Sequence, residues 1–238
     1  MNIDPAEYWS QINQDGSIER WGRRARRKMA VWNLAILVAR ALKRGLDIVG
    51  SLGALIAFSP IFLMTALLIK LEDRGPIFFC QKRVGTGGRH FGMWKFRSMI
   101  VNADKVKDQL LAANQHGQSG VTFKMKNDPR VTKVGKWIRK LSIDEFPQFY
   151  NVLIGEMSLV GPRPPVPREV AEYKSLHLRR LRVKPGITCL WQIGGRAEID
   201  FEGQVRLDLQ YIRSSNVFFD IVILLKTLPA VLFGKGAY

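Results

Sequence analysis

The chain has 238 residues, with 37 Lys and Arg against 20 Asp and Glu and a formal net charge of +17. That length suits one sizeable domain, and the charge implies a polyanionic partner: nucleic acid, anionic lipid or a phosphorylated substrate. Cys80 and Cys189 form neither a metal spacing nor a disulfide framework, which argues against a disulfide-stapled secreted scaffold and for a reduced cytosolic setting with two buried, inert thiols. His90, His116 and His177 lie far apart and read as surface or loop residues rather than ligands.

In chain order, residues 20 to 44 carry Arg20, Arg23, Arg24, Arg26, Arg27, Lys28, Arg40, Lys43 and Arg44 with Trp21 and Trp32. This pattern predicts an interfacial amphipathic helix suited to anionic headgroups, with a solvated basic helix or a nucleic-acid arm as the alternative. From Ile48 to Ile69 there are 22 residues without a charge, more than the roughly 18 expected of a membrane helix. The run starts too far from Met1 and is too long for a cleavable signal peptide. Basic residues flank it on both sides, downstream as Lys70, Arg74, Lys82 and Arg83, so a straight span would place one positive flank on the wrong face. Ser59-Pro60 falls near its middle. Proline breaks or bends a helix and serine can bond back to a freed carbonyl. The preferred reading is a re-entrant helix that enters one leaflet and returns, with a kinked span as the other solution.

Residues 76 to 99 alternate apolar stretches around Gly85-Thr-Gly87-Gly88 and predict a β-hairpin. Asn102 to Ala113 reads as a polar helix, His116 to Gly120 as a mobile loop, and Asn127-Asp128-Pro129 as a turn before a basic helix over Val131 to Lys140. Lys184-Pro185-Gly186 has the residues of a type II turn. The apolar stretch Val217 to Phe233, interrupted by Asp220 and Lys226, predicts an interfacial helix rather than a span.

The chemistry concentrates in residues 140 to 165, KLSIDEFPQFYNVLIGEMSLVGPRPP. Ser142-Ile-Asp-Glu145 fits a capping box, with Glu145 reaching back to the amide of Ser142. Asp144 would then lie in the first helical turn, where the dipole favours its ionised form, as a metal ligand or a nucleophile towards phosphorus. Glu145 stays open between structural cap and metal or base chemistry. Pro147 would sit one turn in, a mild misfit. Arg163, held between prolines, is a candidate bidentate phosphate contact. Lys95 and Arg97 alternate with aromatics on a strand as a solvated face or a phosphate contact, and Arg139 is placed to pair with either carboxylate. Gly194-Gly195-Arg196 could cradle a phosphate.

Together these segments resemble the bacterial sugar transferase family, the monotopic phosphoglycosyl transferases. The resemblance runs over roughly residues 40 to 235 through LKRGLDIVGSLGALIAFSPIFLMTALLIK, FGMWKFRSM, LSIDEFPQFYNVLIGEMSLVGPRPP, KPGIT, GGR, RLDLQYI and FFDIVILLKT, and is similar to short exopolysaccharide-initiating members. It implies transfer of sugar-1-phosphate from a UDP-sugar to polyprenyl phosphate, with UMP released and Mg2+ required. By resemblance Asp144 is the nucleophile, through a covalent phosphosugar intermediate, and Glu145 its metal or base partner. Lys95, Arg139, Arg163 and Arg196 match phosphate-serving positions, and Asp208 and Asp220 acidic positions near them. Ser59-Pro60 matches the break of a re-entrant helix. Cys189 stands where many members have Gly, and Gly195 where several have Asn or Ser, departures that bear on the donor. Galactose and glucose are the donor sugars the resemblance favours, with downstream glycosyltransferases as pathway partners, no nucleic acid, and a homodimer compatible with it. The reading from a different class is a membrane-anchored basic protein that binds nucleic acid or anionic lipid without catalysis.

The expected fold class is α+β: a mostly helical cytosolic domain with a small hairpin or sheet. The expected segments are a basic interfacial region (1–45), a re-entrant helix broken at Ser59-Pro60 (46–70) and a catalytic domain with a C-terminal interfacial helix (71–238). The expected location is the cytoplasmic face of a bacterial inner membrane.

Overall fold

The first helix, α1, runs from Ser17 to Ala57 and ends where the sequence places a proline: α2, Ser59–Asp73, begins one residue later with Pro60 in its first turn. Pro60 has no N–H to offer the carbonyl four residues back. The Ser59 hydroxyl donates to that carbonyl, Ile56 O, at 2.8 Å and so replaces the donor that Pro60 lacks. The two arms meet at a bend of 58°. The computed structural model describes residues 17–103, 128–194 and 199–233. Among these, no single helix is long and apolar enough to cross a membrane, and only the two bent arms taken together reach that length and composition. Val49, Ile56, Leu63, Leu67 and Leu71 on the arms are exposed.

The chain divides into two compact units, Met1–Arg44 and Gly45–Tyr238. In the first, the described residues are helical, with Met29, Val31, Trp32, Leu34 and Leu37 exposed among the basic side chains. In the second, α2 closes with Lys70 Nζ donating to the carbonyls of Arg74 and Gly75, each at 3.2 Å. Strands β1 (Phe78–Val84) and β2 (His90–Phe96) then form an antiparallel hairpin with Cys80 opposite Trp94. Their connection, Thr86–Gly88, needs positive φ at Gly87 and Gly88, which glycine adopts without steric cost. The basic helix α3, Lys133–Lys140, is capped by Thr132, whose hydroxyl accepts from Gly135 N at 2.9 Å. Glu72 binds the amide of Lys133 at 2.7 Å and so joins the end of α2 to the start of α3.

Helix α4 (Gln148–Ile154) leads into β3 (Ser158–Val160), which pairs in parallel with β4 (Gly186–Thr188), Ser158 opposite Gly186 and Val160 opposite Thr188. The short helices α5 (Pro167–Ala171) and α6 (Leu190–Gly194) are followed by α7 (Phe201–Ser214) and α8 (Val217–Phe233). The architecture is α+β, mostly helical with two small sheets. One core cluster joins Met93, Val152, Met157, Leu159, Tyr211 and Ile223; a second joins Ile69, Phe96, Ile138 and Ile143. Strand β2 contributes to both, through Met93 and Phe96. Asp47 pins the end of α1 to β3, accepting from Ser158 Oγ and Leu159 N, each at 2.9 Å.

Several expectations are corrected. Lys184-Pro185-Gly186 is not a type II turn, which needs positive φ at its glycine. Among the described glycines only Gly87, Gly88 and Gly155 have positive φ, and Gly186 instead opens β4. Glycine is required there because a Cβ would lie 2.1 Å from the backbone nitrogen of Gly161. Pro147 is no misfit: it sits just before α4 at φ −59°, where a missing donor costs nothing. His177 is buried, not a surface residue. Lys174 N donates to its Nδ1 at 3.3 Å, so the proton lies on Nε2, 3.2 Å from Glu202. Cys189 is buried but Cys80 is exposed. The helix read over Asn102 to Ala113 and the loop His116 to Gly120 fall, apart from residues 102 and 103, outside the described residues.

Candidate active site

Two carboxylates are held by a single turn between α3 and α4. After α3 the chain reverses through Ser142, whose φ of 56° is left-handed, and Ile143–Glu145 form one turn of 3-10 helix. Ile143 is packed into the second core cluster with Ile138 and Phe96, which anchors the two residues that follow. The capping box is therefore absent. The Ser142 side chain makes no capping bond, because a left-handed residue does not hold the extended geometry of an N-cap. Glu145 pairs with Lys95 of β2 instead, Nζ to Oε1 at 2.8 Å, and the same ammonium lies 4.0 Å from Asp144 Oδ2. Lys95 is thus not a solvated strand residue but the counter-ion of the pair.

Burial separates the acidities of the two neighbours. Asp144 is 8% exposed, and desolvation pushes its carboxyl up to about 6, helped by the negative charge of Glu145 and opposed by Lys95, Arg139 and Arg163. For Glu145, burial also acts upwards, but Lys95, Arg163 and Arg83 outweigh it and hold the carboxyl at about 2. One ammonium bonded directly to Glu145 and only approaching Asp144 explains the asymmetry.

Arg163 and Glu145 line one small cleft together with Met93, Gln148, Pro164, Gly186, Ile187 and Gln192. The Arg163 guanidinium lies 6.0 Å from the centre of the Trp191 ring. The proline segment carrying it is tied to the hairpin twice: Val84 N donates to Pro165 O, and Arg83 Nη1 to Pro164 O, both at 2.9 Å. The Arg83 guanidinium is also held by Gln81 Oε1. Burial first, then repulsion from Arg163, pushes Arg83 down to about 10. The sequence reading used Arg83 only as a flanking charge. Its signal was present in Gln81 and Arg83 two residues apart on one strand face, but the loop they brace is some eighty residues away.

The structure thus brings Lys95, Asp144, Glu145 and Arg163 together, with Arg139 near enough to act on Asp144. Arg97 is engaged elsewhere, with Asp73. Asp208, 1% exposed, pairs with Arg180 at 2.6 Å, and burial ahead of that pairing pushes its carboxyl up to about 6. Asp220, 0% exposed, meets the Tyr211 hydroxyl at 2.8 Å, which is also 3.0 Å from Val160 O. Asp208 ties α7 to the 177–182 segment, and Asp220 ties α8 to Tyr211 of α7. Arg196 lies outside the described residues. No three His, Cys, Asp or Glu side chains converge on one point among the described residues. The donor set compatible with a hard divalent cation is the Asp144–Glu145 pair, and Mg2+ commonly takes one or two carboxylates together with substrate phosphates.

This constellation lies inside a family match: residues 38–234 match the bacterial sugar transferase family. The chain belongs to that family. It is a transferase. Its relatives in the family include the galactosyl transferase CpsE of Streptococcus agalactiae serotype III, 52% identical over 196 residues that make up 82% of this chain and 43% of the relative. The exopolysaccharide production protein ExoY of Rhizobium meliloti is 42% identical over 198 residues, 82% of this chain and 88% of ExoY. The undecaprenyl-phosphate galactose phosphotransferase of Salmonella typhimurium is 46% identical over 209 residues, 87% of this chain and 44% of the relative. This transferase therefore spans less than half of some relatives and most of another.

Proposed function

We propose that the chain transfers sugar-1-phosphate from a UDP-sugar to polyprenyl phosphate at the cytoplasmic face of a bacterial membrane, as the first membrane step of exopolysaccharide or related glycan synthesis. The observation that carries this reading is the desolvated Asp144 carboxylate beside Lys95, with the Arg139 and Arg163 cations close enough to act on it. A buried carboxylate with a raised pKa is ionised at neutral pH yet weakly hydrated, which suits attack on phosphorus.

An Asp144 oxygen attacks the phosphorus bearing the sugar. The bond from that phosphorus to the bridging oxygen breaks, and its electron pair leaves with UMP. A phosphate oxygen of the lipid then attacks the same phosphorus, the bond to Asp144 breaks, and the carboxylate is restored. Neither step needs a proton transfer to Asp144. Lys95 and Arg163 offset the negative charge gathered at the diphosphate. Glu145, held strongly acidic, is a poor general base; it fixes Lys95 and offers an oxygen to a metal. Mg2+, when bound by Asp144 and Glu145 together with the diphosphate, supplies further charge neutralisation.

Membrane attachment through a re-entrant α1–α2 pair is supported by the Ser59 bond across the Pro60 break, the exposed apolar arms and the basic residues on both flanks. The relatives whose names carry galactose favour UDP-galactose as the donor to try first.

The test is UMP release from a panel of UDP-sugars by the protein in vesicles. One donor should give sustained release that requires undecaprenyl phosphate and stops when EDTA removes Mg2+. Salt-sensitive oligonucleotide binding with no UMP from any donor would overturn this reading in favour of a non-catalytic basic protein.

A second measurement concerns Lys95. Activity needs ionised Asp144, whose acidity burial weakens, so the rate should fall as the medium is made acidic. Lys95 lowers the pKa of Asp144, so in Lys95→Met the acidic limb of the pH–rate profile should move to higher pH. The rate at pH 7 should fall accordingly. An unmoved limb would show that Lys95 does not act on Asp144.

A further inference from the structure

Two amides are buried in helix α4, and they are treated differently by the fold. Asn151 is fully used: its Nδ2 donates to Gly92 O and Glu156 Oε2, each at 2.7 Å, and its Oδ1 accepts from Trp94 N at 3.0 Å. It locks α4 to the hairpin. Gln148, one turn earlier and 3% exposed, has a buried side-chain nitrogen that meets no hydrogen-bond partner among the described residues. Gln148 lines the cleft with Glu145 and Arg163. An unpaired buried amide is costly to a fold, and folds seldom keep one without a reason. The indole nitrogen of Trp191, whose ring faces Arg163, is likewise buried without a partner among the described residues. The cleft therefore holds an unused N–H donor together with the Arg163 guanidinium, the complement of an oxygen-rich anion.

We propose that Gln148 is a phosphate-contacting residue, whose side-chain amide donates a hydrogen bond to a non-bridging oxygen of the donor's diphosphate. This rests on the phosphotransfer reading above and adds a recognition group to the same site. A neutral amide is suited to the position. A further cation would compete with Lys95 for Glu145, whereas an amide adds a donor next to that carboxylate without adding charge. The bond is available only when substrate is present, so Gln148 contributes to binding and transfer rather than to the stability of the empty protein.

Gln148→Met, close in size and without polar hydrogens, separates these roles in the full-length protein. Binding is measured by calorimetry with UDP, inorganic pyrophosphate and uridine, beside the thermal transition and UMP release. The expected result is about a tenfold or greater loss of affinity for UDP and pyrophosphate, little change for uridine, and a Tm at or above the wild-type value. Gln148→Glu should weaken pyrophosphate binding more than the methionine does, since it adds repulsion to the lost donor; it carries the same test if the methionine variant does not fold. Wild type that binds UDP and releases UMP, with Gln148→Met within twofold of it, overturns the Gln148 assignment alone. Equal weakening for uridine and pyrophosphate with a lowered Tm overturns it in favour of a packing role. Wild type that binds neither UDP nor pyrophosphate overturns this inference and the phosphotransfer reading together.

Discussion

Asp144→Asn is expected to lower UMP release by at least about 10³-fold, in line with the loss of a nucleophile that nothing nearby replaces. The substitution keeps the size of the side chain and removes the atom that would bond to phosphorus. Glu145 cannot take over: it is bonded to Lys95 at 2.8 Å and is the less basic of the two carboxyls. The protein should remain folded. Asp144 ionises in the folded state only at the expense of burial, so a neutral amide removes that cost and Tm at pH 8 should stay at or above the wild-type value. The sign follows from the raised pKa: the contribution of this carboxyl to stability is greatest at low pH and is lost as pH rises through about 6. Mass spectrometry of wild type given UDP-sugar without lipid should find one sugar-phosphate on the peptide holding Asp144. Activity surviving in Asp144→Asn would remove the nucleophile assignment. Full loss of activity without any adduct in wild type would point to direct attack by the lipid phosphate.

Gly186→Ala should have the largest effect on stability. A methyl group there would stand 2.1 Å from the nitrogen of Gly161 and 2.7 Å from its Cα and carbonyl oxygen. These are backbone atoms in a paired strand and cannot swing aside. The β3–β4 pair would have to separate, straining the bonds from Gly161 N to Thr188 O at 3.0 Å and from Gly186 N to Pro162 O at 2.9 Å. A loss of about 3 kcal/mol or more is expected, measurable as a lower midpoint in urea. Activity should fall with it, because Pro162 and Arg163 follow directly on the strand that moves. A variant with an unchanged midpoint would show that the close approach is not needed by the folded protein.

These effects also mark where reading the chain by itself succeeds. The hairpin was legible because its glycines sit where φ must be positive, and the basic helix because a turn signal ending in Asp128-Pro129 precedes its run of cations. The helix break was legible because proline lacks a donor wherever it stands. Each is a local matter, decided within a few residues. Ser142-Ile-Asp-Glu145 misled for the complementary reason: its spacing matches a capping box, but the left-handed turn at Ser142 is imposed by packing Ile143 into the core. Lys-Pro-Gly misled likewise, since the need for glycine at 186 comes from Gly161, twenty-five residues away. Asp208 and Asp220 carry the same charge as Asp144, yet Arg180 and Tyr211 occupy them.

The paired acids of KLSIDEFPQFYNVLIGEMSLVGPRPP, the stiff arginine segment and the broken apolar run are properties of the order of residues, and they suffice to indicate the family. Which acid holds its proton more tightly, which is bonded to Lys95, how Arg83 braces the proline segment and why the Gln148 side-chain nitrogen meets no partner among the described residues depend on distances between β2, the Ile143–Glu145 turn, α4 and the segment after β3. Burial and ion pairing are set by neighbours distant in sequence. The difference in acidity between Asp144 and Glu145, adjacent and nearly identical in chemistry, therefore exists only in the folded protein.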